Sequence, residues 1–244
     1  MVFKIPSNLP EAHAAALTSV VMTAADIVHN LFKFPLPTSP GAFSGPILIW
    51  GASSAVGLST LQLARASGCR NIFVTASPAR HDLLISLGAT HAFDYSSQTV
   101  VAEIKSAVEA LGEGPITHAV DAAGTMGEPS SADLTAQSAS KSTVFSSVTH
   151  RRDSKFLFPV ALTKDDVCFH PLGAPEPIIH PARPVDHWNA WCALQWAVAN
   201  YGTKFKLPSV SVLDVTAEEA LRELGSVASG KRGSGKVVFQ HPLK

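Results

Sequence analysis

The sequence predicts a doubly wound α/β fold, in which a parallel sheet is covered by helices on both faces, and three observations carry this. Short apolar runs alternate with helical stretches over the first three-fifths of the chain, a pattern that right-handed crossovers turn into a parallel sheet. One run, Ile47 to Trp50, enters the loop GASSAVG of very small residues and leaves as a helix with Leu58, Leu61, Ala64 and Arg65 at helical spacing. The composition, 46% hydrophobic and only 16% charged over 244 residues, belongs to a compact globular chain with a sizeable core.

The elements follow in order. Glu11 to Phe34 reads as a helix, with Pro10 near its first turn and Pro35 ending it, and its many small residues predict close packing against a neighbour. PLPTSPGAFSGP is a loop into the first strand. NIFVTAS is the second strand, PARHDLLISLGA a helix closed by Gly88, and HAFDY the third strand. Val100 to Leu111 is a helix and ITHAVDAAG the fourth strand. From Ala132 the order continues as a helix, the strand STVFSSVTH and the strand VCFHPLG. APEPIIHPARP, with four prolines, reads as a loop, and Val185 to Tyr201 as a helix carrying Trp188, Trp191 and Trp196. VSVLDV, a helix from Ala217 to Ser229 and GKVVFQ close the chain, so residues 1–207 form the main domain and 208–244 a C-terminal segment.

Nineteen basic and nineteen acidic residues balance, which removes the broad electrostatic case for nucleic acid or an anionic membrane. No run is expected to reach the length of a membrane span: Glu11 and His13 precede, and Asp26 interrupts, the apolar N-terminal stretch. Cys69, Cys168 and Cys192 lack metal-ligand spacing, so no metal site and no disulfide framework is expected, and a reducing, cytoplasmic setting fits them.

In open α/β sheets ligands bind at the carboxyl ends of the strands, where GASSAVG lies. A strand, tight turn and helix start direct unpaired N–H groups and the positive end of the helix dipole at one point, which suits a phosphate. Of a G-x-G-x-x-G fingerprint only Gly57 remains in the frame Ala52, Ser54, Gly57, so an ordinary turn and a pyrophosphate cradle of Ser53, Ser54, Ala55, Val56 and Gly57 both fit. The second strand adds information. A NAD site places a carboxylate near its end to accept from the ribose 2′-OH. Here TASPAR follows instead, and Ser77 and Arg80 are donors suited to a 2′-phosphate.

The stretches ILIWGASSAVGLSTLQLARASG, TASPARHDLLISLGATHAFDY and HAVDAAGT resemble the cofactor half of the medium-chain dehydrogenases/reductases. The resemblance is greatest to zinc-free quinone reductases and the trans-acting enoyl reductases of fungal polyketide pathways. It implies a Rossmann fold and NADPH, with Ser77, Arg80 and Tyr95 at the 2′-phosphate and arginine standing for the usual lysine. It also implies that Thr23 lies near the nicotinamide and that the strand carrying Ser146 and Ser147 lies beside it, with only one of the two serines able to point there. The functional pocket is therefore expected between Thr23, Gly124, Ser147 and the loop around HPLGAPEPIIHPARP, whose length and prolines suit a semi-rigid lid. Full-length members begin with a GroES-like substrate domain, and this sequence begins almost at the helix that follows it, so the domain is expected to be absent here. The catalytic residues are not assigned by the resemblance. Asp121 is expected to order its loop, and His150 to lie at the surface.

Three functional classes follow. The first is NADPH-dependent reduction of an activated C=C bond in a small hydrophobic, polyketide-derived substrate. The second is a non-redox isomerase, cyclase or lyase reusing the nicotinamide cleft. The third is a non-catalytic NADPH-binding protein. A homodimer or a synthase partner is compatible with each.

Overall fold

A computed structural model describes residues 4–43, 45–151, 155–160, 165–170, 175–230 and 235–244. Six parallel strands form one sheet: β1 (Ile47–Trp50), β2 (Ile72–Ala76), β3 (His91–Asp94), β4 (His118–Asp121), β5 (Val144–Ser147) and β6 (Phe156–Leu157). Their spatial order, β3-β2-β1-β4-β5-β6, is that of a doubly wound dinucleotide fold, with the strand order reversing between β1 and β4.

The apolar runs are continuous because both faces of the sheet are covered. All residues of β1 and β2 are buried. Ile47 and Ile49 point to one core with α1 (Glu11–Ala25), α2 (Ala55–Ala66) and α6 (Pro184–Ala199), while Leu48 and Trp50 point to the other. That second core holds Val100 and Ile104 of α4 (Val100–Leu111) and Ala132 of α5 (Ser131–Gln137). This is the two-residue alternation of a strand covered on both sides.

Four differences from the sequence reading have physical causes. The first helix does not run regularly to Phe34; it passes into a π-helical stretch, Asp26–Leu31. There the buried Asp26 carboxylate accepts from Arg183, 157 positions away, at 2.9 and 3.2 Å, and from Asn30 at 2.8 Å. The combined run Glu11–Leu31 spans 21 residues and is long and apolar enough by composition to cross a membrane, which corrects the expectation about length. It is two-thirds buried and packs on α2 and α6, so its apolarity is that of a core helix. Its alanines 14, 16, 24 and 25, with Ala190, Ala193 and Ala197 of α6, are buried, and small side chains of this kind let helices approach closely.

Third, the proline-rich stretch is not wholly loop. Ile178–His180 (β8) pairs antiparallel with Val167–Phe169 (β7), and Asp166 accepts from the Ala182 N–H at 2.7 Å, while residues 171–174 lie outside the described residues. Fourth, the helix after β2 starts as a 3-10 turn, Pro78–Arg80, before α3 (His81–Ser86).

The C-terminal segment forms a parallel pair, β9 (Val210–Leu213) with β10 (Lys236–Phe239), joined through α7 (Ala217–Ala228) and packed on α1. A reciprocal cap between Thr216 and Glu219 starts α7. Trp191 and Trp196 pack against the core, whereas Trp188 is exposed.

Candidate functional site

The glycine turn sits at the carboxyl end of β1, beside the reversal of strand order. Gly51 has φ +77°, and a Cβ there would lie 2.7 Å from that of Ala123. Gly51 thus supplies the tight turn that the frame Ala52, Ser54, Gly57 lacks in its first position. At Gly57 a Cβ would meet the Gly51 carbonyl oxygen at 2.6 Å and the Ala52 Cα at 2.7 Å, so α2 starts against the strand only because this residue has no side chain. Gly57→Ala is expected to lower stability by ~1–3 kcal/mol, the usual cost of overpacking, and to lower the melting temperature by several degrees. Circular dichroism melting checks it; an unchanged melting temperature would show that the turn tolerates a methyl group.

Ser54 caps α2. Its Oγ accepts from the Gly57 N–H at 3.0 Å and donates to the Ala122 carbonyl at 2.9 Å, which ties the turn to the end of β4. The N–H groups of Ala55 and Val56 fall in the first helical turn, which has no intrahelical acceptor for them. Ser53 is partly exposed, and its hydroxyl has no partner among the described residues. Two backbone donors, one hydroxyl without a partner among the described residues and the helix dipole together suit an anion.

Strand register brings the second group together. Ile49 pairs with Val74, and Ala76 with Asp94, so Ser77 and Tyr95 lie one step beyond the last pairs, side by side at neighbouring strand ends. Ser77 makes no cap bond, Tyr95 is 52% exposed, and the Arg80 guanidinium has neither ion pair nor hydrogen bond among the described residues. No carboxylate ends β2. The side chain of Asp94 is turned to Ser96, accepting from its N–H at 2.9 Å and its hydroxyl at 2.7 Å, which holds its carboxyl below the usual carboxylate range.

At the other side of the reversal the fully buried Asp121 organises two loops. Its carboxylate accepts from the Gly124 N–H at 2.9 Å, the Ser147 hydroxyl at 2.9 Å and Arg151 at 3.1 Å. Arg151 also donates to the Thr125 carbonyl at 2.9 Å, and Thr149 donates to that of Gly124 at 3.0 Å. Gly124 has φ +67°, and a Cβ there would lie 2.4 Å from the Thr149 hydroxyl. Ser147, expected beside the nicotinamide, is fully buried with its hydroxyl committed to Asp121; Ser146, equally buried, donates to the Leu157 carbonyl. Thr23 is partly exposed, with its hydroxyl bonded back to the Ser19 carbonyl at 2.9 Å, on the helix that packs beside α2. His150 is exposed, its ring edge-on to Phe158. Arg151 was not foreseen from the sequence, since its partners lie 26 and 30 positions away.

A cavity of about 490 Å³ between α4 and residues 112–116 and 138–140 lies toward the amino ends of the strands, away from all of these groups. The carboxyl-end crevice carries the candidate chemistry.

Residues 55–161 match the family described as zinc-binding dehydrogenase. Over 110 residues, 45% of this chain, it is 43% identical to a trans-enoyl reductase, himH, of Aspergillus japonicus. This stretch is similar to zinc-binding dehydrogenases and to fungal trans-enoyl reductases. Over 101 residues it is also 39% identical to the trans-enoyl reductase TOXD of Cochliobolus carbonum. These matches span 32% and 34% of the two relatives, about a third of their length. A crystal structure of the CurK enoyl reductase superposes on 98% of the chain with a TM-score of 0.68 at 20% identity, covering 65% of that protein. A quinone oxidoreductase of Pseudomonas syringae superposes on 97% with a TM-score of 0.65 at 15% identity, covering 67% of that protein. At such identities the structural likeness concerns the fold alone. The uncommitted donors described above suit the phosphates of a nicotinamide cofactor. Among the described residues no group of three or more His, Cys, Asp or Glu is placed to hold a metal ion.

Proposed function

We propose that this chain forms the cofactor domain of an NADPH-dependent reductase of the medium-chain dehydrogenase/reductase type, acting on activated C=C bonds. The observation that carries the cofactor reading is the pairing of unengaged donors at Ser77, Arg80 and Tyr95 with the lack of a carboxylate at the end of β2. A carboxylate there would accept from a 2′-hydroxyl and repel a 2′-phosphate, whereas a guanidinium attracts the phosphate.

When bound, the cofactor supplies a hydride. The chain's own residues hold it: Ser53, Ala55 and Val56 at the pyrophosphate, Ser77, Arg80 and Tyr95 at the 2′-phosphate, and the loops braced by Asp121 beside the nicotinamide half. Thr23 flanks that half from α1. The names of the fungal relatives, trans-enoyl reductases, support an enoyl substrate, an activated C=C bond.

A panel of enones and enoyl thioesters tests this by NADPH oxidation at 340 nm, with product analysis with and without cofactor. Saturated product formed only with NADPH is expected; rearranged product formed without cofactor would refute the redox assignment. One observation favours a second reading, binding without turnover: Asp121 and Ser147 hold each other, so neither is free to serve as acid or base. Tight NADPH binding with no turnover across the panel is its signature.

A further inference from the structure

Among the described residues, Arg151 is a strong charge in the crevice that the cofactor reading leaves without a role. It leaves β5 by way of Val148–His150 and reaches back to the fully buried Asp121 carboxylate at 3.1 Å, with its own side chain 11% exposed. Its Nε is buried and without a partner, so it is held for the contacts of its terminal nitrogen, to Asp121 and the Thr125 carbonyl. The pair lies on β4 and β5, on the side of the strand reversal opposite Ser77 and Arg80. Dinucleotides cross the sheet at that reversal. If the phosphorylated ribose lies over β2, the nicotinamide half lies on the side of Asp121.

The two redox forms of the cofactor carry the same phosphates and differ by one positive charge on the nicotinamide ring. Their affinity ratio therefore reports the local potential at that end of the crevice and cancels effects common to both. An unpaired, fully buried carboxylate at the end of β4 would favour the cationic ring. We propose that Arg151 is a specificity-determining residue: by neutralising Asp121 it keeps the crevice from preferring NADP+ over NADPH, the form a reductase must bind to begin its cycle. This rests on the proposed cofactor reading. Ser147 and the Gly124 N–H also solvate the carboxylate, but as neutral donors they leave its charge in place.

Calorimetric titration of the full chain with NADP+ and with NADPH tests the inference. In R151Q the ratio of affinities is expected to move toward NADP+ by about tenfold, the scale of one unit charge at roughly 10 Å in a partly buried site. R151K, which keeps the charge, is expected to stay within about twofold of the wild-type ratio. D121N is expected to shift it the opposite way, toward NADPH, and D121N/R151Q to return it to near the wild-type value. Loss of one partner from a buried pair can unfold a protein. Should R151Q not fold, the opposite-signed shift in D121N decides, and no shift there refutes the inference. An unmoved ratio in a folded R151Q that binds both forms also refutes it, as does an equal shift in R151K. If the wild type binds neither form, the cofactor reading itself fails and this inference falls with it.

Discussion

Arg80→Ala is expected to weaken NADPH binding tenfold to a hundredfold and to leave NADH binding nearly unchanged. The estimate follows from the state of the side chain, which makes no ion pair or hydrogen bond among the described residues, so its removal breaks no contact within the fold. A charge-assisted bond to phosphate contributes about 1.5–3 kcal/mol, which spans that range of affinity. Ser77→Ala removes a neutral donor at the same point and should cost less, about 0.5–1.5 kcal/mol. Titrations of both cofactors against each variant check the ordering. Equal losses for NADPH and NADH would mean that Arg80 acts on the fold or on a part common to both cofactors.

Stability is expected to fall steeply between about pH 6.5 and pH 4, with His29 the largest single cause. Burial pushes its imidazole down to about 4 from an ordinary 6.5. Its Nδ1 lies 3.2 Å from the Phe34 carbonyl and its Nε2 is buried without a partner, so a second proton would have no acceptor. A histidine whose folded-state value is depressed contributes fully above its unfolded value of 6.5. In the window below, the unfolded chain binds the proton and the folded one does not, so stability is lost as pH falls toward 4. The gap corresponds to about 3 kcal/mol, a large part of a typical domain's stability. His118, set among Phe32, Phe34 and Phe43, is pushed to about 4 by the same cause and acts in the same direction, to a smaller extent because it is more exposed. Urea unfolding at pH 7.5 and 4.5 should show the loss in the wild type and a flatter dependence in His29→Gln. Parallel curves for the two proteins would contradict the assignment.

What could be read in the sequence was what local chemistry determines. The strands β1 and β2 are legible because residues buried on both faces leave continuous apolar runs, and α4 runs as expected from Val100 to Leu111. The glycine turn was recognisable by its small residues, although the role of Gly51 appears only in its backbone angle. What could not be read depends on distant partners. The π-helical stretch is stabilised by an arginine 157 positions away. β8 was hidden among prolines that flank the ribbon without interrupting its three paired residues. Ser54 and Ser147 were both picked out as hydroxyls in the right place, yet one is spent on capping α2 and the other on Asp121. A residue type marks a site, but the direction of its side chain is decided by packing.

The central claim, that the carboxyl ends of β1, β2 and β3 form a cradle for a 2′-phosphorylated dinucleotide, is tested most directly by titrating the wild-type chain with 2′,5′-ADP and with 5′-ADP. These ligands carry the adenosine half alone, so the result does not depend on substrate, turnover or the nicotinamide pocket. 2′,5′-ADP is expected to bind at least about tenfold more tightly, and high salt to narrow the difference because the partly exposed Arg80 makes much of it. Equal affinities, or tighter binding of 5′-ADP, would contradict the claim.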